Sequence, residues 1–324
     1  MSGSMAETMR AKRIQMGLTQ QEFADFLNSR LGRRYDKARI SKWESKKEDV
    51  PALVALTLNS IDQGRRTITI AVANQKGGVG KTTTTMNLGY ALAAAGTRTL
   101  IIDLDQQYNA TISIGGNPIE NDKNALSLYH VLLHGTPAAS AIIDVPDVPG
   151  LRLLGNGQFM AKFEIEAIGA IERERLLTRA LKPVLDSYQF VIIDCPPAMS
   201  IATTNALFMA DWVLIPTQTE ALSVTGIPLL IAHIDNIAAV ANPNLRILGI
   251  LPTMYKARYK TDQYWLENLT SIYGEKYGVF PPIPHAAAYS TSVDAQKIAY
   301  QVSPEAKGID VFSVIASTLL QSNR

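Results

Sequence analysis

Two hydrophobic rhythms divide the chain. Up to about residue 62 the apolar positions recur at helical spacing, with Phe23, Phe26 and Leu27 on one face and Ile40 and Trp43 on another. They predict helices over 6–16 (stopped at Gly17), from Thr19 onward, over 37–44 and over 51–62. Thr19-Gln20-Gln21-Glu22 has the pattern of a capping box, in which hydroxyl and carboxylate each take a backbone N–H that the helix start leaves over. Asp36 is placed to cap the next helix. After a linker at 63–66 the rhythm changes. From Thr67 continuous apolar runs alternate with helical periods, predicting buried strands at 68–73, 99–103, 151–154, 190–194, 212–216 and 247–251. Helices are predicted at 84–95, 169–186 and 225–241. That alternation implies an α/β domain over 67–324, a mostly parallel sheet covered by helices on both faces. Ligand chemistry in such sheets gathers at the carboxyl ends of the strands.

Composition changes this picture little and charge changes it more. The 324 residues suit one large and one small domain, and 47% hydrophobic content is ample for a core. No run reads as long and apolar enough to span a membrane. Met1-Ser2-Gly3-Ser4-Met5 reads as a scar ahead of a native start at Met5, followed by a small domain over 6–62. The single Cys195 excludes a disulfide framework within the chain and suits a reducing cytoplasm. Residues 1–66 carry 13 Lys/Arg against 8 Asp/Glu, whereas the rest carry 18 against 21. A basic head on a near-neutral body points to nucleic acid.

The chemistry concentrates after the first strand, in Lys76-Gly77-Gly78-Val79-Gly80-Lys81-Thr82-Thr83. Strand, glycine-rich turn and helix in that order form a phosphate-binding loop. Glycines let successive backbone N–H groups approach phosphate oxygens, and the helix N-terminus adds positive potential. Lys81 is placed to reach the β/γ-phosphates and the Thr82 hydroxyl to ligate Mg²⁺.

With a second lysine, Lys76, opening the loop, the sequence resembles the ParA/MinD group of P-loop NTPases with a deviant Walker A motif. The resemblance implies ATP and Mg²⁺ as cofactors, a nucleotide-sandwich homodimer, and Lys76 reaching the partner's phosphates. Asp103-Leu104-Asp105-Gln106 resembles the family's switch I. There Asp105 is implied to position the attacking water and Asp103 to support the Mg²⁺ shell. Gln106 stands where proline is usual and Tyr108 where glycine is usual. Asp194, delivered by an apolar strand and followed by Cys195-Pro196-Pro197, reads as the Walker B carboxylate of the metal shell. Lys76, Lys81 and Asp105 are thus the catalytic candidates, and Thr82, Asp103 and Asp194 the metal candidates. Residues 76–83 with Met254 and Pro284 are the nucleotide contacts.

Gly-Leu-Thr-Gln followed by Ile-Ser-Lys-Trp-Glu resembles a Cro/repressor helix-turn-helix, with extra residues between the two motif helices. Lys37, Arg39, Ser41 and Lys42 are then aimed at a major groove. Lys256, Arg258 and Lys260, interleaved with Tyr255 and Tyr259 and joined by Lys297, resemble the surface by which ParA dimers hold DNA without reading sequence. Where the family often has Ile-Pro-Arg, this chain has Ile283-Pro284-His285. His130 and His134 lie four apart, but without the glutamate of His-Glu-x-x-His or a third ligand they predict no metal site. One cysteine is too few for the cluster of the nitrogenase iron protein, and the C-terminal helix lacks the cations a MinD-like membrane helix needs. The resemblance implies a cytoplasmic, nucleoid-associated partition ATPase stimulated by a ParB-like centromere-binding protein. An ATP-switched transcription regulator, and an ATPase positioning a protein cluster, are the alternatives.

Overall fold

The computed structural model describes residues 5–15, 18–61 and 67–322. The expected stop at Gly17, the linker 63–66 and the leading residues 1–4 lie outside them.

The head has four helices, α1 Met5–Gln15, α2 Gln20–Leu31, α3 Lys37–Glu44 and α4 Ala52–Ile61. They enclose Met9, Phe23, Leu27, Ile40, Trp43, Val54 and Leu58. The capping box forms: Glu22 N–H donates to Thr19 Oγ1 at 3.3 Å and Thr19 N–H to Glu22 Oε2 at 2.8 Å. Asp36 caps α3 by accepting from Arg39 N–H at 2.8 Å. Away from the caps, Arg13 ties α1 to α3 through a two-pronged pair with Glu44, at 2.6 and 3.2 Å, which Gln20 joins at 2.8 Å.

The body is one seven-stranded sheet: β1 Ile68–Val72, β2 Thr99–Asp103, β3 Ile142–Asp144, β4 Leu151–Leu154, β5 Phe190–Asp194, β6 Trp212–Gln218 and β7 Arg246–Thr253. Its order is β3-β4-β2-β5-β1-β6-β7, with every pair parallel except β3 against β4. Alternate residues of each strand feed opposite layers. Ile70, Val72, Ile192 and Leu214 face α5 (Lys81–Ala94) and the terminal helix Asp310–Ser322. Ala71, Leu100, Val191 and Val213 face the helices Leu176–Leu181, Ile201–Met209 and Ile227–Val240.

Three expectations are corrected. The antiparallel edge strand β3, three residues long, was not anticipated because so short a piece carries no period. The helix predicted over 169–186 is instead α-helical only at Leu176–Leu181. Glu172 stands at φ +51, which no helix accommodates, and Pro183 cannot continue one. Finally, the window Ser223–Val240 does reach a mean hydropathy of 1.4 over 18 residues. Its apolar character has a local cause: Ile227, Leu230, Ile231, Ile234 and Ile237 form the face packed on the sheet.

Head and body touch. Leu53 of α4 packs against the core layer under α5, and Arg30 Nη1 reaches Gly96 O at 3.4 Å. A cleft of about 700 Å³ between them is lined by Arg33, Leu53, Tyr90, Lys297, Tyr300 and Val314.

Candidate active site

The loop between β1 and α5 wraps the spot where a triphosphate would lie. Gly78 at φ +74 and Gly80 at φ +86 hold left-handed turns that a side chain would strain, which is why glycine stands there. Gly77 and Gly78 are exposed, and Val79 is buried as the loop's anchor. Asn74 bridges the loop base to β6, donating to Pro216 O at 2.7 Å and accepting from Lys76 N–H at 3.0 Å. Thr253, at the end of β7, donates to Val79 O at 2.8 Å. Asn74 and Thr253 fix the loop, and neither announces itself in sequence, since a polar residue at a strand end carries no periodic signal.

Lys81 is folded inward, 6% exposed, and its Nζ donates to Lys76 O at 2.9 Å. Burial lowers its pKa, and Asp194 and Asp105 oppose that by holding the charge. Lys76 differs: its amine lies outside the loop, ion-paired to Glu220. Thr82 and Thr83 open α5, half-buried, and Thr83 borders the neighbouring cavity.

Three carboxylates meet the loop. Asp103 and Asp194 are register partners at the ends of β2 and β5, both fully buried. Asp194 Oδ1 accepts from Thr85 Oγ1 at 3.3 Å, while its Oδ2 has no protein partner. Burial, then the neighbouring Asp103, drives its pKa well up, and Thr82 and Lys81 pull the other way. A buried, unpaired carboxylate oxygen beside a threonine hydroxyl and a lysine fits a divalent cation.

Asp103, expected to support the Mg²⁺ shell, is hydrogen-bonded to its own following loop. Its Oδ2 accepts from Thr111 N–H and Thr111 Oγ1 at 2.7 and 2.6 Å, and its Oδ1 from Asp105 N–H at 3.3 Å. It is the carboxylate that folds the following loop. Asp105, 6% exposed, is the acid left facing Lys81; burial raises its pKa, against the Gln107 N–H and the lysine. Asn156, also unforeseen, donates its side-chain amide to Asp105 O at 3.2 Å and its backbone N–H to Thr111 Oγ1 at 2.8 Å. Tyr108 adopts φ +43, the backbone conformation that a glycine would take without strain.

Cys195 is sealed, with burial raising its thiol. His130 accepts or donates at Ser127 Oγ, 2.7 Å away, and its ring packs with His134 and Phe159. Beside the loop, a cavity of about 230 Å³ is lined by Gly80, Thr83, Met254, Pro284, Tyr289 and Phe312, a shape for a base and ribose. Met254 and Pro284, the expected base contacts, both line this cavity, and His285 borders it too.

The cationic candidates divide into separate places. Lys37, Arg39, Ser41 and Lys42 are all exposed on α3, with Arg39 and Lys42 both paired to Glu48. Lys256, Arg258 and Lys260 are exposed on the turn into the helix Lys260–Tyr277. Lys297 lines the cleft under the head, apart from that turn.

Fold and loop together define an α/β ATPase of the P-loop type. Residues 67–247 match the family described as an AAA domain, AAA_31. The chromosome partitioning protein ParA of Caulobacter vibrioides is 36% identical over 209 residues, 64% of this chain and 77% of that protein. The sporulation initiation inhibitor protein Soj of Bacillus subtilis is 35% identical over 248 residues, 76% of this chain and 96% of Soj. A solved structure of cobyrinic acid a,c-diamide synthase from Mycobacterium smegmatis, with bound ATP analogue and magnesium, is similar at TM-score 0.69 and 34% identity. That similarity covers 79% of this chain and 95% of that one. The chain belongs to the ParA-type P-loop ATPases. The head lies ahead of the matched residues.

Proposed function

We propose that two copies of the chain close over two ATP molecules, that the dimer binds DNA non-specifically, and that a ParB-like partner on a cargo replicon stimulates hydrolysis and releases it. The observation that carries this reading is the contrast between the two loop lysines. Lys81 is turned into its own loop, whereas the Lys76 amine lies outside, held by a single carboxylate and free to serve a facing copy. Lys81 and the loop N–H groups of 77–83 bind and orient the phosphates, and Met254 and Pro284 hold the base. Thr82 and Asp194 would hold Mg²⁺, which supplies positive charge to the phosphate oxygens. Asp105 orients the attacking water; Asp103, Thr111 and Asn156 keep it in place. Catalysis here is positioning and charge stabilisation. The dimer would work in the cytoplasm on the nucleoid, with Lys256, Arg258 and Lys260 meeting phosphates. The relatives named for chromosome partitioning support this over the synthase activity named for the structural neighbour.

The test is the mass of the protein in solution with magnesium and a non-hydrolysable ATP analogue. Wild type should be a dimer and Lys76→Ala a monomer that still binds the analogue. A wild-type monomer, or a dimeric Lys76→Ala, would refute the sandwich.

A second reading adds operator recognition by the head. It is favoured by the capped α2 and α3, joined through residues 32–36, with the four polar residues of α3 facing solvent. Deleting residues 1–62 should abolish a promoter footprint and spare ATP hydrolysis. A footprint that survives the deletion rules the head out as the reader.

A further inference from the structure

We propose that Asp262 is a positioning residue that makes the grip on DNA answer to the nucleotide, by tying the segment that holds Lys76 to the turn that carries Lys256, Arg258 and Lys260. The inference rests on the proposed ATP-dependent DNA binding and adds how one site reaches the other.

The connection is continuous. Lys76 pairs with Glu220, whose carboxylate also accepts from Ser223 Oγ at 3.2 Å. The adjacent Thr219, 5% exposed, donates Oγ1 to Asp262 Oδ2 at 2.9 Å. That same oxygen accepts the Lys256 N–H, also at 2.9 Å. Asp262 sits in the first turn of the helix Lys260–Tyr277, so one oxygen joins the end of β6, the basic turn and that helix. Lys256 stands first in the cationic run, its ammonium over the Tyr259 ring.

The connection has two states. Lys76 is the cation that holds Glu220. When Lys76 leaves for the phosphates of a facing copy, Glu220 loses that partner. The segment 218–220 then has two arrangements, with Lys76 bound or departed, and Asp262 passes the difference to the turn. A cavity of about 240 Å³ lined by Gln218, Glu220, Met254, Lys256, Asp262 and His285 gives it room to move.

The experiment measures the dissociation constant for random-sequence duplex at fixed salt, with Mg²⁺–ADP and with Mg²⁺ and a non-hydrolysable ATP analogue, alongside dimer mass. Wild type should bind at least about tenfold tighter with the analogue. Thr219→Val and Asp262→Ala should keep the dimer but gain less than about threefold. Asp262→Asn retains an oxygen for both hydrogen bonds and should keep the gain. Full gain in Thr219→Val, or equal loss in Asp262→Asn and Asp262→Ala, would overturn the coupling. Absence of any gain in wild type would overturn the DNA-binding reading itself, and the inference with it, in that arm alone.

Discussion

Lys81 Nζ donates to the main-chain oxygen of Lys76 at 2.9 Å, so the inner lysine of the loop is held by the residue that carries the outer one. A phosphate entering the loop offers that ammonium a charged acceptor in place of a neutral carbonyl. Hydrogen bonds to charged groups contribute about 1.5–3 kcal/mol, so Lys81→Met should weaken ATP binding roughly 10- to 150-fold. Isothermal titration of the variant checks this, and an affinity within twofold of wild type would remove Lys81 from the phosphate contacts.

Asp105→Ala should leave ATP binding and dimerisation intact and lower kcat by about 10²–10⁴, the usual span for a group acting on a proton in flight. Asn156→Ala, acting through the loop it pins, should lower kcat with little change in KM. Steady-state kinetics separate the cases, since a KM rise without loss of kcat would place both residues in binding.

Reversing Lys256 and Arg258 to glutamate should weaken binding to any duplex sequence alike. The plot of log affinity against log salt should become shallower by about two contacts' worth. An unchanged slope would return both cations to the solvated surface.

The Arg13–Glu44 pair is a pH-dependent clasp within the head. Burial works against charge on Glu44, yet hydrogen bonds from Arg13 and Gln20 outweigh it and hold its pKa below the ordinary value of 4.5. A carboxylate lowered in the folded state adds stability above its ordinary pKa, and that is lost as pH falls through the lowered one. Glu44→Gln should therefore cost the head about 1.5–3 kcal/mol near neutrality, and the gap between the thermal melts of variant and wild type should narrow as pH falls from the ordinary carboxylate range through the lowered pKa. Melts that stay parallel through that range would deny the pair its role.

What the sequence made legible followed from burial. β2 and β5 begin and end where the sequence placed them, because a strand covered on both faces has no polar side to blur its limits. The loop, Asp105 and Asp194 were legible through spacing. Asn156, Thr253 and Asp262 were not, since each is a lone polar residue whose meaning is a hydrogen bond across the chain, 51, 174 and 43 positions away. The bonds of Asp103 to Thr111, eight positions on, were equally silent in the sequence.

Cys195 has a practical consequence. It is the chain's one sulfhydryl, wholly shielded beneath the Walker B strand end, and it reacts only as a thiolate that its surroundings suppress. A cysteine placed at an exposed position such as Ala257 would thus be the one handle a maleimide dye reaches. One fluorophore per copy, with no need to mutate the native thiol, makes the distance between two copies directly readable by energy transfer as nucleotide is added.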